Sequence, residues 1–332
     1  MFVRGRDGYY FLSNDSNDVL AQTEGRLRLE PALLDAIGSV HEERVAFAGG
    51  IGAEYYHLVA PNKETVYRRF LPSEIIFEKR GPVPLRRYLR RCPDAARFTY
   101  YDPDLLRPGG GAIPTYPRTD THWTTHGAVT YLQSFAHRFG VTPLSDGLDA
   151  LRLETKQEDV KGDLGVHAEL PPERYLNTTI CNPAPILAFH GNIINEGLVI
   201  HAHSSNPRAQ GRVLVIHDSF TYVLLPAISF SFKEAMFIHS PDLDFSFVRA
   251  FAPDLILFIQ AERFFPRPIQ NGIDLPERLI ELAATKQRPD VTSGYVKSIL
   301  EAPNPIERAS TQSQRVRASW LRKLRRALAR WL

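Results

Sequence analysis

The strongest constraint on the fold is a set of short, nearly unbroken apolar runs. Val45–Ala48, Tyr55–Ala60, Val213–Ile216, Ala235–Ile238 and Leu255–Ile259 lack the polar residue at every second position that marks a half-exposed strand. Strands apolar on both faces must be covered on both faces, which points to a mainly parallel sheet between two helical layers. The intervening stretches supply the helices. From Thr124 to Phe139, Ala128, Tyr131, Leu132, Phe135 and Phe139 keep helical spacing, and Gly140 ends the pattern. Phe245–Phe251 reads as a helix that stops before Pro253, and a helical pattern after Ser219 must be bent or interrupted by Pro226. Gly8–Leu12, Arg97–Tyr101 and Asp149–Thr155 read as further strands. Beyond about Pro266 the chain turns polar, with a helix near Leu275–Thr285 and otherwise linker-like sequence.

With 332 residues, 43% hydrophobic and 23% charged, the chain can bury a large core without disulfide or metal staples. That composition excludes a disordered chain, a collagen-like fibre and a coiled coil. Residues Arg315–Leu332 hold seven basic residues and no acidic one; removing those seven from the net charge of +3 leaves residues 1–314 at −4. A body of that charge argues against a nucleic-acid partner. Cys92 and Cys181 form no CxxC pair and are expected to be two buried free thiols. No signal-peptide pattern is visible at the start. The longest weakly charged run, Val213–Phe232, contains His217, Asp218 and Pro226, which argues against a membrane span.

Three places carry candidate chemistry. In Leu214-Val215-Ile216-His217-Asp218-Ser219-Phe220 a buried strand ends at a serine and a helix begins. This puts the hydroxyl at the carboxyl edge of the sheet, beside backbone N–H groups that hold a developing oxyanion. Read alone, Ser219 is better taken as a helix N-cap. In Asp120-Thr121-His122-Trp123-Thr124, a histidine offers the base that a serine nucleophile needs, and an aspartate two residues earlier would fix its tautomer. A rival reading uses Asp120, His122 and His126 as zinc ligands, because His122 and His126 are four apart at a helix start. The third place is the tail: Leu321, Leu324, Leu328 and Trp331 line one face of a basic helix suited to an anionic membrane surface or a partner.

Together these residues resemble a known family. Asp120–Thr124 followed by Gly127-Ala128 resembles the DTHWT-x-x-GA signature of the alginate O-acetyltransferase-type SGNH-hydrolase-like family, polysaccharide O-acetyltransferases with a Ser-His-Asp triad. Collinear matches run from Arg6–Phe11 through Val59–Tyr67, with its Pro61-Asn62-Lys63, and Lys161–Gly165, to Val215–Phe220 and Glu262-Arg263. His217 stands where the family has glycine, and Thr125-His126 replaces a Pro-Glu-like pair.

The resemblance implies a three-layer α/β/α sandwich over residues 1–266, followed by a polar extension at 267–314 and a basic amphipathic helix at 315–332. It makes Ser219 the nucleophile, His122 the base and Asp120 its orienter, with the Ser219 backbone N–H in the oxyanion hole. It implies acetyl transfer through a Ser acyl-enzyme to a polysaccharide or glycan hydroxyl, with no cofactor and no metal. Ester hydrolysis with the same residues and a non-catalytic glycan-binding subunit are the alternatives. The acetyl donor would be supplied by a membrane-bound acyltransferase, and the compartment would be the periplasm or cell envelope. Trp123 and Tyr222 are candidate substrate contacts. Asp163 reads as a turn residue, and Arg263 as the partner of an internal carboxylate.

Overall fold

The computed structural model describes residues 2–13, 15–73, 75, 83–109 and 111–301. In chain order the strands are β1 (Phe2–Arg4), β2 (Tyr10–Leu12), β3 (Glu54–Ala60), β4 (Thr99–Tyr100), β5 (Leu153–Val160), β6 (Glu173–Ile180), β7 (Ile186–His190), β8 (Val199–His203), β9 (Gln210–His217), β10 (Phe232–His239) and β11 (Leu255–Ala261). The helices are α1 (Val19–Thr23), α2 (Pro31–Gly50), α3 (Lys63–Val66), α4 (Pro84–Arg91), α5 (Thr125–Phe139), α6 (Thr142–Asp149), α7 (Asp163–His167), α8 (Leu225–Ser231), α9 (Phe245–Phe251), α10 (Leu275–Thr285) and α11 (Thr292–Glu301).

Seven strands form the central sheet in the order β4-β3-β11-β9-β10-β8-β7. The first five run parallel; β8 is antiparallel to β10, and β7 to β8. Side chains alternate across it, so each strand feeds two cores. Leu58, Val215, Phe237 and Leu257 pack on one face with Leu132 and Phe135 of α5, Leu144 of α6 and Ile228 of α8. Val59, Leu214, Met236 and Ile256 pack on the other with Ile37 of α2, Leu85 of α4, Phe247 of α9 and Val296 of α11. This is the α/β/α arrangement expected from the doubly buried runs.

Local structure follows local chemistry most closely in α5. Thr124 caps it, its hydroxyl accepting the Gly127 N–H at 3.1 Å, and Gly140 closes it at φ 68° in the left-handed region. Pro226 sits in the first turn of α8, where a missing N–H costs nothing, and a short 3-10 segment, Ser219–Leu224, precedes it.

Four expectations change. Val45–Ala48 belongs to α2, whose buried positions Leu34, Ile37, His41, Arg44 and Ala48 recur every three or four residues, a period that a four-residue apolar run hides. The helix expected at Leu275–Thr285 is α10, but the sequence after it is not linker-like: α11 follows, and its Val296 and Ile299 join Leu279 and Ala283 of α10 in the second core. Asp149 ends α6, and the strand starts only at Leu153. Both cysteines are free, but Cys92 is half-buried and Cys181 exposed, because Cys181 follows a strand of the small outlying pair β5–β6. The basic helix expected at 315–332 lies outside the described residues. No described helix is long and apolar enough to cross a membrane.

Candidate active site

Strand β9 lies between β11 and β10, so the chain diverges at its carboxyl end and leaves a crevice there. Asp218 and Ser219 follow that end directly. Asp218, not Ser219, takes the capping role: its Oδ1 accepts the Phe220 N–H at 2.9 Å, and its Oδ2 accepts the Ala261 N–H at 2.6 Å. That leaves the Ser219 hydroxyl free to face His122, with Oγ 2.9 Å from Nε2. The Ser219 backbone N–H meets no acceptor among the described residues, as an oxyanion donor requires.

His122 is set by the loop that enters α5. Asp120 Oδ1 accepts both the His122 backbone N–H at 2.7 Å and the ring Nδ1–H at 2.9 Å. With the proton on Nδ1, Nε2 carries a lone pair toward Ser219, the tautomer of a general base. Burial lowers the His122 pKa, but the hydrogen bond and charge of Asp120 and the charge of Asp163 outweigh it, and the net shift is upward. Burial raises the Asp120 carboxyl, yet its bonds to His122 and the charges of His122 and Lys63 bring it below the usual range.

A second tier of residues holds this loop. Asp163 is more than the expected turn residue. Its Oδ1 accepts the Thr121 N–H at 2.7 Å, its Oδ2 accepts the Thr121 hydroxyl, and its own N–H donates to Asp120 Oδ2 at 3.2 Å. Asp163 Oδ2 also lies 3.7 Å from His122 Nδ1. Gly162 allows this approach: a Cβ there would fall 2.2 Å from the Thr119 carbonyl oxygen. The buried Lys63 ammonium donates to the carbonyls of Pro117, Arg118 and Asp120. Asn62 Oδ1 accepts the Arg263 N–H at 3.1 Å, and Glu262 Oε2 accepts the Asn62 N–H at 2.9 Å. The Pro61-Asn62-Lys63 and Glu262-Arg263 segments therefore lock the ends of β3 and β11 together around the site. Their composition signalled only turns and charges; the roles follow from contacts about 200 residues apart in sequence.

A cleft of about 690 Å³ opens over Ser219 and His122, lined also by Asp163, His217, His239, Arg263 and Lys286. Arg263 does not pair with a carboxylate as expected. Its guanidinium lies 5.0 Å from the Phe220 ring and 4.7 Å from the Phe264 ring, and no carboxylate among the described residues forms an ion pair with it. His217 Nδ1 bonds the Asp218 carbonyl at 2.8 Å, but burial outweighs that bond and brings its pKa down to about 4, which leaves the ring neutral.

The remaining candidates fall elsewhere. Trp123 is 2% exposed and donates its indole N–H to the Phe220 carbonyl at 2.8 Å, so it packs the site from behind and offers no face to a sugar. Tyr222 bonds His239 Nδ1 at 2.9 Å and stays outside the cleft lining. His126, on α5, lines a different cavity, with Thr130 and Tyr175. The group around His122 that offers atoms within 4.8 Å of one another is Asp120, His122 and Asp163, so the rival set with His126 is not assembled.

No protein-family profile matches this chain, and no curated protein matches it. Solved structures do. The O-acetyltransferase domain of Pseudomonas putida AlgJ is similar at 18% identity and a TM-score of 0.50, over 86% of this chain and 99% of that one. A DHHW family protein from Eubacterium siraeum is similar at 14% identity and a TM-score of 0.51, over 87% and 98%. Bacillus cereus PatB1 with a sulfonyl adduct is similar at 14% identity and a TM-score of 0.50, over 80% and 95%. The fold of this chain is the fold of these proteins, and the resemblance read from its motifs includes the first of them.

Proposed function

We propose that this chain is a serine-dependent O-acetyltransferase acting on a polysaccharide or glycan hydroxyl. The observation that carries the reading is the unbroken hydrogen-bond chain Asp120–His122–Ser219 at the mouth of a cleft. Shared fold with the AlgJ O-acetyltransferase domain supports the same class.

In the first half-reaction the Ser219 hydroxyl gives its proton to His122 Nε2 while Oγ bonds the acetyl carbonyl carbon. The Ser219 N–H donates to the developing oxyanion, and Asp120 stabilises the imidazolium. His122 then returns the proton to the departing donor group, leaving acetyl-Ser219. In the second half, His122 takes the proton of a sugar hydroxyl, the sugar oxygen attacks the acetyl carbon, and the Ser219 bond breaks with its oxygen reprotonated. Water in the acceptor place gives ester hydrolysis by the same steps. The acetyl donor reaches the cleft from a separate acyl supplier in this reading.

The test is peptide mass spectrometry after incubation with 4-nitrophenyl acetate. The wild type gains one acetyl group on Ser219. Ser219→Ala and His122→Ala do not, and both lose about a thousandfold or more in turnover. An acetyl adduct that persists in Ser219→Ala, or a wild type with neither adduct nor turnover, overturns the assignment. Adding acetylatable glycans then separates transfer from hydrolysis by the fate of the label.

A further inference from the structure

We propose that His201, His203 and Glu234 form a zinc site at the end of the sheet remote from Ser219. His201 and His203 are two apart on β8, so alternation puts both on one face. Glu234 of β10 stands directly opposite His203 in the strand register. One ligand atom from each residue lies within 4.8 Å of the other two. Two imidazoles and a carboxylate make a donor set that suits Zn²⁺, with water completing the tetrahedron.

The surroundings prepare those atoms. The Tyr295 hydroxyl, on α11, bonds His201 Nδ1, which directs Nε2 to Glu234 Oε1 at 2.7 Å. An outer hydrogen bond on the far ring nitrogen is the device that aims a metal-binding imidazole. Arg212 Nε donates to Glu234 Oε2 at 2.9 Å, which leaves Oε1 turned toward His201. The Arg212 cation itself is absorbed by that carboxylate and by the Phe251 ring, 4.5 Å away. His203 brings a ring nitrogen into the group. In the metal-free chain a proton holds the gap between His201 and Glu234. Zinc replaces it, forming bonds to the two imidazole nitrogens and Oε1 and releasing any proton held there to solvent. His201 and Glu234 are nearly buried, and the half-buried His203 leaves a path for the ion.

Arg212 stands near the start of β9 and His217 at its end, about 17 Å apart at ~3.3 Å per residue. The ion is therefore too far to take part in acyl transfer, and its role is to tie β8 to β10 beneath α11. This inference stands independently of the acyltransferase reading.

The test titrates the full metal-free chain with Zn²⁺ by calorimetry at neutral pH, and with Co²⁺ by visible absorption. One ion per chain, a raised melting temperature and a Co²⁺ band of low coordination are expected. His203→Gln and Glu234→Gln should weaken binding by about tenfold or more, while His122→Ala leaves it unchanged. Melting of each variant without metal establishes that it is folded, and the Co²⁺ band of the wild type needs no variant. Absence of binding in the wild type, or binding unaffected by His203→Gln, would reduce the cluster to a hydrogen-bond network. Binding lost in His122→Ala would place the ion on Asp120, His122 and Asp163 instead. Each of these results overturns the proposal.

Discussion

Two histidines line the same cleft, and burial pushes both toward neutrality, yet they end on opposite sides of the ordinary imidazole value. His122, in the loop before α5, is bonded by Asp120 and faced by Asp163, and its pKa rises. His217, at the end of β9, bonds only a backbone carbonyl, and its pKa falls to about 4. The difference is one of partners. A low-dielectric site penalises the charged ring, and it equally strengthens any carboxylate that faces it. His122 is thereby fitted to accept and return a proton, whereas His217 stays a neutral wall of the cleft.

The largest expected effect comes from removing the partner that separates the two. Asp120→Asn keeps the shape but supplies an amide that no longer selects the Nδ1–H tautomer or stabilises the imidazolium. In the proposed mechanism turnover of an acetyl ester should fall by about a thousandfold to ten-thousandfold at neutral pH. Turnover within a few fold of wild type would remove His122 from the role of base.

A smaller effect should come from the second carboxylate. The charge of Asp163 raises the His122 pKa, and catalysis needs His122 unprotonated. Activity therefore falls as pH drops through that raised pKa, and Asp163→Asn should move the acid limb of the rate profile to lower pH. An unmoved limb, or one displaced to higher pH, would show that Asp163 acts only through the Thr121 bonds.

The smallest effect should appear in stability. His217 is neutral when folded down to about pH 4 but gains a proton near pH 6.5 when unfolded. The unfolded state binds more protons between those values, so stability is lost as pH falls from about 6.5 to about 4. By order of magnitude this is worth about 2–3 kcal/mol, and His217→Gln should flatten that part of the curve in urea unfolding. His122 contributes with the opposite sign, since its raised pKa gives stability below its unfolded value that is lost as pH rises through the folded one. An unchanged slope in His217→Gln would mean that the ring is not held neutral.

Much of this site is readable in the chain. The apolar run before His217 announces a buried strand, and an abrupt Asp218-Ser219 after it announces the edge where ligands sit. Asp120, two residues before His122 in a turn, is near enough in sequence for the loop to bring it to the His122 ring. Asp163, Lys63 and Arg263 are harder to read, because each acts across a large sequence separation. Lys63 looks like a surface lysine until three carbonyls of the Pro117–Asp120 loop surround it. Arg263 looks like half of an ion pair until two phenylalanine rings flank it at the cleft. Strand β8 is hard to read because His201 and His203 interrupt its apolar residues, whereas Ile186–Phe189 of β7 is an apolar run as long as Val213–Ile216.

What the sequence determined by itself is whatever depends on neighbours in the chain: the doubly buried strands, the capped helix α5, the turn that ends β9, and the residue types that acyl chemistry needs. Only the tertiary structure decided how those parts meet. It brought Ser219 and His122, 97 residues apart, to 2.9 Å, and it made Asp218 the cap so that Ser219 stayed free. It also surrounded each buried histidine with the groups that set its charge. Short-range order follows from backbone sterics and side-chain period, whereas the strength of a charge or hydrogen bond depends on the dielectric and partners that only the packed fold supplies.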